Sequence, residues 1–565
     1  MANPLNAHKA ESERFPIPCT HTEKGANSSC DICLRVEVLN GNVVEARHAF
    51  DDAVEQLSVY IDEEVNHRYD PIRRLPVELA LSIFFLCFPY LASPNIFDMS
   101  RAARMDYALR PIPLLLGSIC RYWRRVVWAS PRFWNIIWLH VTPYTTMTRS
   151  QILAEWLPRS DQLPLYVCMF WVGTDETIEH RYHLDDDRLA TAWNSINHMI
   201  DSLTRYTHRI KVFHLHLDIS HISRFWYSSR NPPAYLAATN SIMERLFIEQ
   251  YHLASCDSQH RHAVPFKLIQ NPSPTHVSFI NIDFRQLRLR WDNVAVVDAQ
   301  LLAQGALEIL QLAPKLQHFK VNIKRSEDGS MPPYRVTHYS LLALEITGEN
   351  DLTFLDHLVC PTLEKCSYNQ LFDFEAAASF QSLFSRSGCP LKDLAVNGLC
   401  RNLDHLMSVL RVIPSLTHLS FVNCGFLDCL LACFIDTLYS QDDFGNDPTE
   451  KLFLPRLHSL SFSTYLDGWR KADIFPIISK SRRAVAIISQ GKVPWRPLTR
   501  IHVEVVLFAD VANIWSSGGD IGGYVIDCES LVEVMDLGRH GVEIEIIDHE
   551  GFDLILLSQH FHELF

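Results

Sequence analysis

Apolar residues near the start of the chain fall at helical spacing. Phe50, Val54, Leu57, Ile61 and Val65 lie three or four residues apart and mark one stripe on a helix. Asp70-Pro71 ends it, because a residue before proline is pushed out of the helical region. The stripe predicts a helix that packs on the domain after it; a coiled coil would want three or more heptads. Pro76 then suits the first turn of a second helix. Leu79, Ile83 and Leu86 mark its expected buried face as far as Pro89. Residues 90–110 read as a surface loop. A further helix is expected from Pro113 to Ala129, where Leu116, Cys120, Trp123 and Val127 repeat at helical spacing. Ser130-Pro131 has the form of another helix start, followed by Phe133, Trp134, Ile137 and Trp138.

Farther on, the period shortens to that of strands. An apolar triplet of the form Leu-x-x-Leu-x-Leu recurs as Leu316/Phe319/Val321, Leu341/Leu344/Ile346, Leu363/Cys366/Tyr368 and Leu391/Leu394/Val396. It continues as Leu416/Leu419/Phe421, Leu457/Leu460/Phe462 and Leu498/Ile501/Val503. Proline stands one or two residues ahead of six of them, at 314, 361, 390, 414, 455 and 497. Helical runs precede several, most clearly over 298–313, 374–386, 403–413 and 427–439. A helix, a proline that stops it and a short strand with inward leucines make the unit of a leucine-rich repeat, which buries its apolar face only by stacking on the next unit. The triplets start 25, 22, 28, 25, 41 and 41 residues apart. The first four intervals fit the roughly 20–29-residue repeat length, and the last two need insertions. One insertion is the acidic loop 441–450. Cys424 fits the position after the strand, and 207–218 and 275–283 are degenerate copies. A generic α/β domain whose strands begin with leucine is the competing reading.

The helical segment carries a resemblance. Leu75-Pro76-x-Glu78-Leu79, Ile83-Phe84, Cys120-x-x-Trp123-Arg124-x-Val126 and Ser130-Pro131-x-Phe133-Trp134 occur in an order that resembles the F-box family, most of all the F-box-like proteins of mushroom-forming fungi. In those a helix also precedes an Ile-Arg-Arg-Leu-Pro entry, matched here by Ile72 to Pro76. The spacer at 90–110 is longer than in compact animal F-boxes. The resulting expectation is an α/β protein: a flexible tail (1–33), a helical lead-in (34–70), an all-helical F-box-like domain (71–141) and an irregular leucine-rich-repeat-like solenoid (142–565).

Composition agrees with a folded chain: 47% of residues are hydrophobic and 21% charged, with 12 Trp and 31 Phe, too apolar for wholesale disorder. The formal charge of −14 comes with no long basic block, which argues against nucleic acid and against an anionic membrane surface as partner. The 15 cysteines are scattered, unlike a secreted disulfide framework. The N-terminus is no signal peptide, and the longest apolar stretch, 79–92, is too short to span a bilayer. A cytoplasmic or nuclear protein is expected.

Few constellations suggest chemistry. Cys19, His21, Cys30 and Cys33 could ligate zinc, but the segment has almost no core and a free polar tail is the preferred reading. Cys256, His260 and His262 are ascribed to chance proximity, and His214 and His216 to a solvated strand edge. Neither Gly-x-Ser-x-Gly nor His-Glu-x-x-His occurs. The glycine-rich 516–523 lacks a phosphate-loop lysine and reads as a connection, and Asp185-Asp186-Asp187 as a solvated charge run. No enzyme, cofactor or metal is expected.

The F-box resemblance implies instead a substrate receptor of a cullin–RING ubiquitin ligase, docked on the S-phase-kinase-associated adaptor. Its site would include Leu75, Pro76, Leu79, Ile83, Cys120, Trp123, Val127 and Trp134. Leu75, Pro76 and Ile83 are the better contact candidates, while Trp123 and Trp134 can equally be core. The repeats would hold an unidentified target protein through Thr417, His418, Ser420, His458, Ser459 and Ser461. A protein-binding scaffold without a ubiquitin role is the alternative.

Overall fold

The computed structural model describes residues 31–61, 72–87, 112–142, 144–171, 186–217, 241–250, 272–287, 289–324, 334–348, 352–370, 372–398, 403–422, 434, 453–466, 498–507, 526, 528–548 and 553–564. The 90–110 spacer, the 441–450 loop, Cys424 and the 516–523 glycines lie outside them, as does 427–439 apart from Phe434. So do Cys19, His21, Cys30, Cys256, His260, His262 and the side chain of Cys33. The chain forms two compact units, Met1–Phe133 and Trp134–Phe565.

The first unit is helical. Helix α1 spans Asp31–Tyr60, far longer than the stripe beginning at Phe50 suggests; Phe50, Val54 and Leu57 on it and Ile61 just after it are all exposed, and Val65 lies outside the described residues. The expected packing on the next domain is therefore not what this stripe does. A single-turn 3-10 helix, Ile72–Arg74, leads into α2, Val77–Cys87. The expected continuous helix from Pro113 is instead two, α3 (Ile112–Ile119) and α4 (Arg121–Ala129). Cys120 between them is extended, and its Sγ accepts from the Trp123 backbone N–H at 3.4 Å as an N-cap. The break works because Arg124 Nε donates to the Gly117 carbonyl at 2.7 Å, covering an acceptor that α3 leaves open. Gly117 also lets the Trp128 ring lie where a Cβ would be.

Among the described residues the second unit is built on one sheet of 14 parallel strands. Residues 136–141, expected in the helical module, are its first strand: β1 (Ile136–Val141) buries Ile137, Leu139 and Val141 with the period of two that defines a strand. Helix α5 (Thr146–Arg159), β2 (Leu165–Trp171), α6 (Asp186–Thr204), β3 (Ile210–Leu217), β4 (Arg245–Gln250) and β5 (His276–Ile280) follow. The expected helix 298–313 is half strand: β6 (Val296–Leu302) alternates buried and half-buried before α7 (Ala303–Leu312) begins. Next come β7 (His318–Lys324), the two-residue β8 (Val336–Thr337), β9 (Ala343–Gly348), the two-residue β10 (Leu358–Val359), β11 (Lys365–Asn369) and α8 (Phe374–Ser387). The chain continues through β12 (Asp393–Asn397), α9 (Leu403–Leu410), β13 (His418–Val422), β14 (Ser459–Leu466) and β15 (Arg500–Leu507). Helix α10 (Cys528–Arg539), β16 (Glu543–Asp548) and α11 (Leu554–Leu564) end it.

Strands β8 and β10 pair only with each other. The other 14 stand side by side in chain order, every neighbour parallel, in an open sheet. Their register aligns the apolar triplets. Phe319, Leu344, Cys366, Leu394, Leu419, Leu460 and Ile501 are successive partners, and all are at most 3% exposed. The same column runs back through Val297, Val277, Leu246, Phe213 and Val167 to Ile137. This column makes one face of the sheet a continuous core, and on β3 the other face is largely buried as well. Gly398, with φ +126°, ends β12 where a Cβ would strike the Gln370 carbonyl, so glycine allows the chain to turn there.

Candidate partner-binding surfaces

On α2 two apolar stripes compete for the interior. Leu79, Ile83 and Leu86 make one, and Ala80, Phe84 and Phe85 the other; both have helical spacing. The aromatic stripe is the buried one. Phe84 lies 4.5 Å from Trp123, Phe85 stacks on Phe133 at 4.5 Å and 7°, and the Arg132 guanidinium sits 4.3 Å over Phe85. Each aromatic pair is worth roughly 0.5–1.5 kcal/mol beyond its buried area, and the aliphatic stripe has no such gain. It is left outward: Leu79 is 52% and Leu86 78% exposed, Ile83 is half-buried, Pro76 is exposed and Leu75 is half-buried. The expected buried face of this helix is thus its open face.

The remaining expected contact residues divide differently. Cys120 and Trp123 are half-buried, the first as the cap of α4 and the second against Phe84. Val127 is 0% exposed and belongs to the core of the helical unit. Trp134 is 1% exposed and belongs to the second unit, where it meets Trp156 edge-on at 5.5 Å with the Arg159 guanidinium 5.1 Å over its ring. Neither can offer a surface to a partner. Leu86 joins the open face, and the sequence gives no sign of its exposure beyond the rival aromatic stripe.

In the second unit the position between the last two apolar residues of each triplet points to the outer face of the sheet. Across the strands these positions read Asp298, Lys320, Glu345, Ser367, Ala395, Ser420, Ser461, His502 and Glu545. Only its Ser420 and Ser461 are among the expected contacts, although the triplets themselves mark most of the row. Its polar groups pair laterally: Lys320 with Glu345 at 3.2 Å, and His502 Nδ1 with Glu545 at 3.0 Å. Hydrogen bonding from His502, and more weakly the charge of Arg500, holds the Glu545 carboxyl below the usual range, while burial pushes the Asp298 carboxyl up against the pull of Lys320. Two residues along the strands, Asn397 donates to Asn369, and Asn369 donates to Glu345 of the row at 3.3 Å.

Of the six expected target-binding residues, His418, Ser420, Ser459 and Ser461 lie on β13 and β14, with His418 beside Ser459 and Ser420 beside Ser461. Thr417 and His458 stand just before those strands. The His418 and His458 rings meet edge-on at 4.8 Å, and burial, then the neighbouring His458, lowers the His418 pKa. Thr417 Oγ1 donates to the Lys392 carbonyl at 2.8 Å, and Ser459 is buried, so these two have least to offer a ligand. His214 and His216, expected on a solvated edge, are instead buried at 4% and 5% exposure within β3, an inner strand; His214 stacks with Phe247 at 5.3 Å and lies 4.9 Å from Phe170.

Among the described residues no group of His, Cys, Asp and Glu is placed to hold a metal ion, and no helix is long and apolar enough to cross a membrane. Cys360 and Cys366 are buried thiols whose pKa burial pushes up, the reverse of what a nucleophile needs. No protein-family model matches the chain, and no curated protein is similar to it.

Proposed function

We propose that this chain is a substrate-recognition adaptor of a cullin–RING ubiquitin ligase. Its helical unit docks on the S-phase-kinase-associated adaptor, and the open face of its sheet holds a target protein. The observation that carries the reading is the outward stripe of α2. Pro76, Leu79, Ile83 and Leu86 leave an apolar ridge on a helix whose other apolar face already fills the core. Exposed apolar residues gathered on one element mark an interaction surface. The ridge begins at the Leu75-Pro76 entry that resembles the F-box.

The sheet supports a repeat reading for the second unit. Strand order follows chain order, each apolar triplet stacks on the next, and the first four intervals between triplets match a leucine-rich repeat. As a leucine-rich-repeat-like solenoid it would present its outer row to a target, with His418, Ser420, His458 and Ser461 among the contacts. Catalysis would reside in other subunits, and the chain would act by holding the target near them, an effective-concentration effect. Such work belongs in the cytoplasm or nucleus.

The test is binding of the full chain to the purified adaptor by interferometry. Leu79→Asp with Leu86→Asp is expected to weaken it by about 100-fold or more, since each is placed as a hot spot worth about 2 kcal/mol. Helicity should persist, because both side chains are already exposed. Absence of binding by the folded wild-type chain would refute the ligase reading and leave a scaffold.

A further inference from the structure

Helix α1 is 30 residues long and exposes apolar side chains along its length. From Val36 to Tyr60 its apolar residues fall at alternating steps of three and four, a seam of seven-residue period. Its valines, glycine and asparagines are poor helix formers. A helix of this kind owes its stability to packing of an apolar face. Among the described residues of its own unit none buries that face. Ser58 accepts a hydrogen bond from Arg121 Nη2 at 3.0 Å, and Asp51, Ser58 and Val59 are half-buried, so the helix meets α4 with a different side.

We propose that the seam pairs antiparallel with the same helix of a second copy of this chain. The argument is the self-complementarity of the seam. Aligned antiparallel, Val36 faces Tyr60 of the other helix, Leu39 faces Leu57, Val43 faces Ala53 and Ala46 faces Phe50. Every seam position finds an apolar partner, and the two alanines fall opposite larger residues, the alternation that fills a core evenly. A parallel pair would set Phe50 on Phe50 between two alanine layers, with a bulge and two gaps. The acidic residues Glu37, Glu45, Asp51, Asp52 and Glu55 all lie off the seam, so it closes without burying like charges.

The area is of the order that a weak dimer needs. A 30-residue helix is about 45 Å long and 10–12 Å across. One side of each of two such helices comes to roughly 1,000 Å², the least expected of a specific interface and below the roughly 1,200–2,000 Å² of stable ones. The larger seam residues are each 50–68% exposed in the single chain. This pairing does not depend on the docking reading, since it uses α1 and leaves the α2 ridge free.

Sedimentation of the full chain at micromolar concentration tests it. The wild type is expected to sediment as a dimer, and Leu39→Glu and Leu57→Lys each as a folded monomer whose circular dichroism loses at most the helical signal of α1. Mixing the two variants should restore a dimer. An antiparallel pair sets the introduced glutamate beside the introduced lysine at one end and leaves Leu57 beside Leu39 at the other. A monomeric wild type, or a dimer indifferent to both substitutions, would overturn the proposal. Failure of the mixture to re-dimerise would overturn the antiparallel register.

Discussion

At β2, β3 and β4 the outer row of the sheet carries Cys168, His214 and Phe247; at β13, β14 and β15 the same row carries Ser420, Ser461 and His502. The inner columns of the two regions are alike, buried and aliphatic or aromatic throughout. Near the start of the sheet Cys168 and His214 are buried and Phe247 is half-buried, whereas Ser420, Ser461 and His502 are all half-buried. Folding therefore fixes the inner face in both regions, and the outer row is the more open in the later one, although Ser459 and Ser463 beside it on β14 are buried. A parallel sheet is usually buried on both sides, so the later strands are the departure, and departure from that rule is what recommends them as a surface.

The inner column gives the largest effects. Phe213→Ala and Phe319→Ala are each expected to cost about 3–5 kcal/mol, read by urea denaturation. A much smaller loss at Phe213 would mean that the early strands do not share the later core. The outer row should separate the regions. His214→Ala, between Phe170 and Phe247, is expected to cost about 1–3 kcal/mol, and Ser420→Ala less than about 0.5. Equal losses would erase the contrast. Arg500→Ala, which removes the exposed pairs with Glu543 and Glu545 at 3.7 and 3.4 Å, should cost under about 1 kcal/mol, less in high salt.

The smallest effect concerns His418. Its pKa is lowered by burial and then by His458, so the unfolded chain takes the proton more readily than the folded one. Its contribution to stability is present above the ordinary histidine value and is lost as the pH falls below it. In His458→Ala, an NMR titration should show the His418 pKa moving back up toward that value. An unmoved titration would mean that the two rings do not meet.

The same contrast explains what could be read in the residues. Seven triplets became seven neighbouring strands because the outer positions between their apolar residues, Ala395 aside, are polar, which makes the period of two visible. In β2 (Leu-Tyr-Val-Cys-Met-Phe-Trp) and β3 the outer positions are apolar or buried too, and the alternation disappears. β16 alternates plainly but lacks a leading leucine, so a search for triplets passes over it. In the helical unit the residue types were right and their directions were not. Leu79 and Phe84 both sit on stripes of correct spacing, and only the aromatic contacts with Trp123 and Phe133 decide between them. Cys120 fits a helical repeat with Leu116 and Trp123, yet its thiol caps a helix and ends that repeat.

Chain order and strand order coincide from β1 to β16, the short β8–β10 pair aside. Each strand is therefore held by the one before and the one after. Under tension applied at its two ends such a sheet has no clamp that must fail all at once. It would lengthen by shedding edge strands in turn, each release returning the segment between two neighbours, so that a force–extension trace would show many small steps in place of one rupture.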